Sequence, residues 1–285
     1  MSKNILITGG SGFLASYIFK LLEKKKIKTT IFDIKKPTYR ITKNNFIKAS
    51  ITNKNKLLKA TKGIDTVLHF ASIADIEEAN KHPLKTINTN LFSTINLIEA
   101  CITNKVKMII FASSIYALSE QGGFYSSTKF SSEIFLKRYS KKYGFKYNIL
   151  RFGSVFGENS NKFNPINQLI NQYKSKRQIV KKTDGNEIRN YIHAKDAAKV
   201  CYEIMINKKH ANKTFNIIGS KKYKVKNLLN DVSKKLNINV IFSKKKITRD
   251  DHYKINPYSL KIERGKIIKP KNSINIKNWL ISNLS

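Results

Sequence analysis

The sequence predicts an α/β protein with a doubly wound parallel sheet and a small C-terminal α/β lobe. Short apolar strands alternate with helical stretches through the first half of the chain, as right-handed strand–helix–strand crossovers require. The first strand runs directly into a glycine-rich turn that opens a helix. Beyond Gly157 the alternation weakens, and Asn-rich segments interrupt it. A chain of 285 residues, 41% of them hydrophobic, suffices for one large α/β unit.

The predicted elements follow from short apolar runs for strands and from helical spacing of apolar residues for helices. In the first half, strands are expected at 5–8, 29–33, 45–49, 66–70, 106–112 and 147–151, and helices at 12–25, 85–101 and 125–143. In the second half, helices are expected at 196–206, 228–236 and 274–284, and strands at 214–218 and 239–242.

The chain carries a formal net charge of +37, from 55 Lys and Arg against 18 Asp and Glu. The lysines are dispersed, and Lys, Asn and Ile are over-used throughout, which favours a solvated surface over a nucleic-acid partner. A positive field would also help to capture an anionic substrate. The chain shows neither a long apolar run nor a signal-peptide pattern, so we expect a cytoplasmic protein without membrane contact.

Cysteine and histidine usage points to no metal site and no structural disulfide. Cys101 and Cys201 each fall in a helical stretch, where a small buried apolar residue is the simplest interpretation. The five histidines lack the spacing of metal ligands.

The glycine-rich turn has the pattern of a dinucleotide-binding loop. Gly9, Gly12 and Ala15 give the spacing G-x-x-G-x-x-A after the first strand. Small residues there let the backbone approach a pyrophosphate at the start of a helix. Asp33 ends the second strand, 21 residues after Gly12. Its carboxylate can accept both ribose hydroxyls and repels a 2′-phosphate, which favours NAD over NADP, although neighbouring lysines could neutralise that phosphate.

Tyr125 and Lys129 are the strongest chemical signal. They lie four residues apart at the start of a predicted helix and therefore share a face. An ammonium beside a phenol is expected to lower the pKa of the phenol, so that it can act as a general base or acid. Ser113 and Ser114 follow the fifth strand, at the sheet edge where ligands bind in such folds. A surface Tyr–Lys pair and a serine turn are the structural alternatives.

Together these motifs resemble the NAD-dependent epimerase/dehydratase family, the extended short-chain dehydrogenases that modify nucleotide sugars. Further segments similar to that family lie at 68–72, 88–90, 151–157, 185–196 and 215–219. The resemblance implies an NAD-binding Rossmann core with the catalytic residues at 1–157. It also implies that 158–285 is mainly a substrate lobe, with segments at about 190–218 returning to the core.

The resemblance also implies roles for individual residues. The catalytic residues would be Ser114, Tyr125 and Lys129. The NAD-binding positions would be Gly9, Gly12, Phe13, Leu14, Asp33, Ile34, Ser50, Ile51, Phe70, Ala71, Ser72, Asn90, Ser113, Tyr125, Lys129 and Phe152. The substrate-binding positions would be Ser114, Tyr116, Ser154 and Arg189, with the Arg189 guanidinium on the substrate diphosphate.

The implied function is epimerisation of a nucleotide sugar in polysaccharide biosynthesis, with a UDP-hexose inverted at C4 as the leading substrate. Family 4,6-dehydratases carry an Asp-Glu pair where this chain has Ile115 and Tyr116, which disfavours dehydration. Family decarboxylases place a Glu at the position of Tyr116, which disfavours decarboxylation. Ser154 replaces a usual Asn near the diphosphate.

Two other functions stay open. The same site could perform a one-way dehydrogenation or reduction of a nucleotide sugar, or the chain could be a non-catalytic NAD- or RNA-binding module. The resemblance further implies a homodimer that uses the helix of Tyr125. An aromatic segment at 252–258 could line the sugar pocket or serve packing.

Overall fold

The computed structural model describes residues 4–42, 45–243, 266–268 and 273–284. The aromatic segment at 252–258 lies outside these described residues. The strands are β1 (Asn4–Thr8), β2 (Lys28–Asp33), β3 (Phe46–Lys48), β4 (Thr66–His69), β5 (Met108–Ser114), β6 (Lys146–Phe152), β7 (Ser154–Phe156), β8 (Gln178–Lys181), β9 (Ile188–Arg189), β10 (Tyr191–His193), β11 (Lys213–Ile217), β12 (Tyr223–Lys224), β13 (Asn239–Phe242) and β14 (Lys266–Ile268).

The helices are α1 (Phe13–Lys24), α2 (Lys54–Ala60), α3 (Ile76–Lys81), α4 (Pro83–Thr86), α5 (Ser93–Thr103), α6 (Gly123–Tyr143), α7 (Pro165–Lys176), α8 (Ala194–Ile206), α9 (Val225–Leu236) and α10 (Ile276–Leu284). A π-helical segment, Ile87–Phe92, joins α4 to α5. Short 3₁₀ turns occupy Ile115–Leu118, Glu120–Gly122 and Lys208–His210.

Eight strands form one sheet in the order β14-β11-β6-β5-β4-β1-β2-β3. Every neighbouring pair in it is parallel. The chain order reverses at β1, which lies between β2 and β4. Such a switch point opens a crevice at the carboxyl ends of the strands, where ligands bind in open α/β sheets. The predicted fold class is confirmed.

Apolar side chains pack on both faces of this sheet. On one face α1 and α8 cover the core, with Phe19 and Ile204 almost fully buried. On the other face α2, α5 and α6 surround Leu57, Leu97 and Leu136. Strands buried on both faces explain the near-continuous apolar runs of β1 and β5.

The C-terminal part has its own apolar core. Phe156, Leu169, Leu229 and Leu280 belong to a cluster formed by α7, α9 and α10 with short two-stranded sheets. Residues of α8 and β11, in contrast, pack into the core beneath the large sheet. These contacts support a division near residue 157 with a return at about 190–218, which we keep as a proposal.

The helix expected at 85–101 is interrupted in the structure. Pro83 begins α4, and the π-helical segment follows before α5. The side chain of Asn90 in this segment bonds to the backbone of Ile73 through Oδ1 (2.7 Å) and Nδ2 (3.0 Å). A tertiary contact therefore accompanies the local change in helical pitch, as is frequent for π-bulges near functional sites.

Two sequence-based expectations can be compared directly with the described residues. Cys101 and Cys201 are both free and buried, which confirms their interpretation as small apolar residues. Within the described ranges, no helix has the length and apolar character needed to cross a bilayer.

Helix α2 offers a test of the packing. Leu57 is fully buried, whereas its neighbour Leu58 is 42% exposed. We expect Leu57→Ala to lower the free energy of unfolding by about 2–5 kcal/mol, because it leaves a cavity. The matched control Leu58→Ala should change it by no more than about 0.5 kcal/mol. Urea denaturation of both variants measures this, and equal losses would contradict the orientation of α2.

Candidate active site

The glycine-rich turn lies against the end of β4. Gly9 has a φ of +69°, and a Cβ added there would lie 2.5 Å from the backbone nitrogen of Ala71. Gly12 precedes α1 in an extended conformation, and its N–H donates to the Gly9 carbonyl at 3.0 Å. Helix α1 has neither a side-chain cap nor an acidic residue in its first turn. Such an uncapped N-terminus suits a phosphate group.

Asp33 lies beside this turn at the end of β2. Its Oδ2 accepts from the Ser11 N–H and its Oδ1 from the Lys35 N–H, both at 3.0 Å. These bonds hold the carboxylate over the turn, where a ribose hydroxyl could reach it. Ile34, next to it, is 58% exposed and would be available to a flat apolar group such as adenine.

Other predicted cofactor positions line the same edge of the sheet. The Phe70 N–H donates to the Thr8 carbonyl at 2.9 Å, and the ring of Phe70 lies 5.9 Å from that of Phe152. Phe13, Leu14, Ala71 and Ser72 are partly exposed around the turn. Ser50 bonds to the Thr52 hydroxyl, and Ile51 is buried in the apolar core. Their contacts with a cofactor stay predictions.

At two predicted cofactor positions, Asn90 and Ser113, the polar side-chain atoms form hydrogen bonds within the protein itself. The amide of Asn90 holds the Ile73 backbone, as described above. The Ser113 hydroxyl donates to Glu133 Oε1 at 2.5 Å. Both side chains fix the protein around the site, and their direct role in cofactor binding stays a prediction.

The structure brings Ser114, Tyr125 and Lys129 together. The Ser114 hydroxyl lies near the Tyr125 phenol and acts to lower the pKa of that phenol. Lys129 Nζ donates to the Ala112 carbonyl at 2.9 Å and lies 5.9 Å from the centre of the Tyr125 ring. All three side chains are buried, at the ends of β5 and the start of α6. The predicted spacing therefore places the phenol, the hydroxyl and the ammonium in one cluster.

The electrostatics of this cluster differ from the expectation. The prediction of a lowered phenol pKa is wrong for this structure, because burial raises the pKa of Tyr125 to about 12 and the nearby Ser114 hydroxyl opposes this only in part. Burial also lowers the pKa of Lys129 to about 7, against the opposing charge of Glu133. Both groups are thus shifted toward their neutral forms, which low-dielectric surroundings favour.

A buried ion pair lies behind the cluster and was not foreseen from the sequence. Arg151 reaches Glu133 through Nε at 2.9 Å and through Nη2 at 2.5 Å. Glu133 lies four residues after Lys129 on α6. The spacing Tyr-x-x-x-Lys-x-x-x-Glu is the sequence pattern that could have indicated a carboxylate on the same helix face.

A cavity of about 360 Å³ opens beside Tyr125, between the sheet edge and the C-terminal part. The predicted substrate positions Ser114, Tyr116, Ser154 and Arg189 all line it. Sequence reasoning missed further lining residues of both charges: Asp75, Glu77, Lys181, Lys182 and Glu187. They come from loops and short strands of the irregular second half and from the segment after β4. The cavity therefore brings the Tyr125 phenol together with charged groups of both signs.

Comparison with known families decides the assignment. A sequence model of the NAD-dependent epimerase/dehydratase family matches residues 5–217. The chain belongs to this family. The match begins with β1 and ends with β11, so it includes the glycine-rich turn, the cluster of Ser114, Tyr125 and Lys129, and Arg189. The resemblance derived from the motifs is confirmed.

Several known members of the epimerase/dehydratase family are similar to this chain. A trifunctional UDP-glucose 4,6-dehydratase/UDP-4-keto-6-deoxy-D-glucose 3,5-epimerase/UDP-4-keto-L-rhamnose-reductase of Arabidopsis thaliana is 25% identical over 265 residues. The alignment covers 81% of this chain but only 39% of that protein. This chain thus spans well under half the length of that relative.

Solved structures of two epimerases share the fold. The UDP-N-acetylglucosamine 4-epimerase of Methanobrevibacter ruminantium has a TM-score of 0.81 at 25% identity. The UDP-glucose 4-epimerase of Thermus thermophilus, solved in complex with NAD, has a TM-score of 0.80 at 20% identity. Each comparison covers 99% of this chain and 97% of the other.

NAD is the cofactor of this family, and the residues at the sheet edge fit it. Gly9 leaves room for a close backbone approach, and α1 begins without an acidic residue. Asp33 presents a carboxylate that suits a free ribose 2′-hydroxyl better than a phosphate. Pyrophosphate, ribose and adenine would thus lie along the turn, beside Asp33 and Ile34.

Two glycines with nearly equal positive φ angles allow a test of the glycine-rich turn. Gly9 (φ +69°) touches the Ala71 backbone, whereas Gly63 (φ +72°) has open space around it. We expect Gly9→Ala to weaken NAD binding at least tenfold, because the added methyl displaces the turn. Gly63→Ala should cost about 1–2 kcal/mol of stability from backbone strain alone and leave NAD binding unchanged. Titration calorimetry with NAD and urea denaturation measure both effects, and equal NAD affinities would contradict the proposed pyrophosphate site.

Proposed function

We propose that this chain is an NAD-dependent nucleotide-sugar epimerase, and that its leading substrate is a UDP-hexose inverted at C4. The observation that carries the proposal is the cavity in which Ser114 and Tyr125 line the same space as Arg189 and Lys182. Hydroxyls that move a proton and cations that hold a diphosphate are the two requirements of such a substrate. The two epimerases of the same fold act on UDP sugars, which supports this substrate class.

In this proposal Tyr125 moves the proton. Its Oη, as phenolate, takes the proton of the sugar hydroxyl, while the Ser114 hydroxyl bonds to the same sugar oxygen. When bound, NAD would accept and return the hydride of the sugar carbon, and inversion requires that the hydride return to the opposite face of that carbon. Tyr125 then gives its proton back to the sugar oxygen, so the protein ends unchanged. Burial raises the pKa of the Tyr125 phenol and so disfavours the phenolate. A positive charge nearby is therefore needed to stabilise the phenolate.

The cationic part of the cavity would hold the substrate. The Arg189 side chain is buried, and a guanidinium fork can bond two phosphate oxygens at once. Lys181 already pairs with the buried Glu187 at 2.9 Å, which leaves Lys182 as the exposed lysine of this wall. Ser154 and Tyr116 complete the cavity near the diphosphate and the sugar.

Dehydration is the reaction that the Arabidopsis relative suggests as a rival. It requires an acid that protonates the departing hydroxyl. In this chain Ile115 is buried in the turn that follows Ser114, and Tyr116 lines the cavity. A carboxylic acid is missing from both positions, so we favour epimerisation.

We further propose a homodimer that pairs the face of α6 with the neighbouring helices. Several large apolar side chains on that face are exposed: Leu84, Phe92, Phe124, Ile134 and Phe135. They project from α4, the π-helical segment and α6, which pack together. Apolar side chains clustered on adjoining helices are typical of a protein interface.

A proton NMR time course tests the catalytic proposal. We expect catalytic NAD and a panel of UDP, dTDP and GDP sugars to give one new anomeric signal that grows to a fixed ratio, without NADH absorbance. Tyr125→Phe should lower kcat by about 10²–10⁴-fold, because it removes the proton acceptor, with sugar binding unchanged. Tyr202→Phe on α8 is the matched control and should keep full activity.

Other outcomes of that experiment point elsewhere. NADH that rises in proportion to product would indicate a one-way dehydrogenase. Silence across the panel, together with salt-sensitive RNA binding that Tyr125→Phe does not change, would indicate a binding module.

The dimer is tested with two isoleucines of equal exposure. Ile134 on α6 and Ile206 on α8 are each 43% exposed. Ile134→Glu should convert the protein to a monomer, because it places a charge in an apolar interface, whereas Ile206→Glu should leave the mass unchanged. Light scattering after size exclusion gives the masses. A wild-type monomer would overturn the proposal.

A further inference from the structure

Three charged side chains are buried together, one within the cluster of Ser114, Tyr125 and Lys129 and two behind it. Lys129, Glu133 and Arg151 are only 3%, 1% and 1% exposed. Burying charges costs free energy even when they are paired, and an apolar pair of similar volume often serves stability as well. A structural ion pair alone therefore does not account for a carboxylate at this position.

The position of Glu133 follows from α6 and from two strands of the sheet. Glu133 lies one helical turn after Lys129, so the two side chains share a face of α6. Ser113 on β5 stands directly opposite Arg151 on β6 in the parallel register. Both bond to the same carboxylate. Glu133 is therefore held by side chains of two strands at once. One of them, Ser113, comes immediately before Ser114.

The titratable and polar groups near Lys129 lie on α6, β4, β5 and β6. Tyr125 and Glu133 lie on its own helix. The Ala112 carbonyl and the Phe111 ring, 5.0 Å away, face it from β5. Arg151 on β6 lies behind Glu133.

His69 on β4 stays neutral near the lysine. Burial, with the charge of Lys129, lowers the pKa of this histidine to about 3. Its ring nitrogens lie within hydrogen-bond distance of the Thr8 and Thr94 hydroxyls. The carboxylate that opposes the loss of the lysine proton is thus Glu133.

We propose that Glu133 is a positioning residue of this site, whose carboxylate, clamped by Arg151 and Ser113, keeps the Lys129 ammonium charged beside the Tyr125 phenol. The proposal rests on the proposed function, because only a charged Lys129 can stabilise the Tyr125 phenolate. It connects the hydrogen bonds among Ser113, Glu133 and Arg151 to the proton-transfer group through the electrostatic effect of Glu133 on Lys129.

The sign of the effect follows from the charges. A pKa of about 7 leaves Lys129 partly protonated near neutrality. Loss of the Glu133 charge lowers that pKa further, because an opposite charge nearby favours the charged form. The ammonium is then lost at a lower pH, and activity falls earlier as the pH rises.

The test is a pH titration of protein labelled with 13C at the lysine ε-carbons, without substrate. Lys129→Arg identifies the Lys129 resonance by its loss. We expect Glu133→Gln to lower the titration midpoint of Lys129 by about one pH unit or more. Glu133→Asp, which keeps the charge, should restore most of the wild-type value. In protein that turns over a sugar, the basic limb of the pH profile of kcat should shift together with the titration midpoint of Lys129. KM should change little.

Two controls separate this role from simple stability. Asp65→Asn breaks a surface ion pair with Lys107, 2.6 Å in length, and should leave the midpoint unchanged. The double variant Glu133→Gln/Arg151→Gln removes the unpaired guanidinium, so it tests the proposal if Glu133→Gln does not fold.

A folded variant without the Glu133 charge whose Lys129 titrates as in the wild type would overturn the proposal. Because the titration needs no turnover, its result is independent of the epimerase assignment. A shifted midpoint in a protein without sugar activity would contradict the proposed function alone.

Discussion

The parallel register around β1 is the constraint on which the rest of the structure depends. Because β1 pairs with both β2 and β4, the strand ends that carry Gly9, Asp33 and Phe70 meet at one edge. Strands β5 and β6 continue the same edge and bring Ser114 into line with Phe152. The contact of Gly9 with the Ala71 backbone is tight enough to exclude a side chain. The residues predicted to bind the cofactor and to transfer protons thereby lie along one crevice.

Burial determines the chemistry of this crevice more than the nearness of Tyr125 to Lys129 does. Removing both groups from water moves their pKa values apart, that of the phenol upward and that of the ammonium downward. The charge on Lys129 then depends on its surroundings, and Glu133 is the group that supports it. Arg151 and Ser113 in turn satisfy the Glu133 carboxylate, which would otherwise be costly to bury.

The C-terminal part contributes the opposite wall of the cavity. Its own apolar core lets α7, α9 and α10 pack independently of the large sheet. Short strands such as β9 then carry Arg189 to the cavity, while α8 and β11 return to the core and anchor this part. A basic surface and the cations Arg189 and Lys182 in the cavity wall suit an anionic substrate, and charge dispersed over the surface does not require a nucleic-acid partner.

The sequence by itself determined the fold class, the family, the glycine-rich turn and the Tyr125–Lys129 pair. These features depend on local periodicity and on residue spacing within a single strand–turn–helix unit, which a sequence displays directly. Helix α7 was missed because its polar Asn and Gln residues obscure the apolar stripe of Ile166, Leu169 and Ile170. Only the tertiary structure decided the raised pKa of Tyr125, the Glu133–Arg151 pair and the lysines of the cavity wall. These depend on burial and on contacts between residues far apart in the chain, which local spacing does not encode.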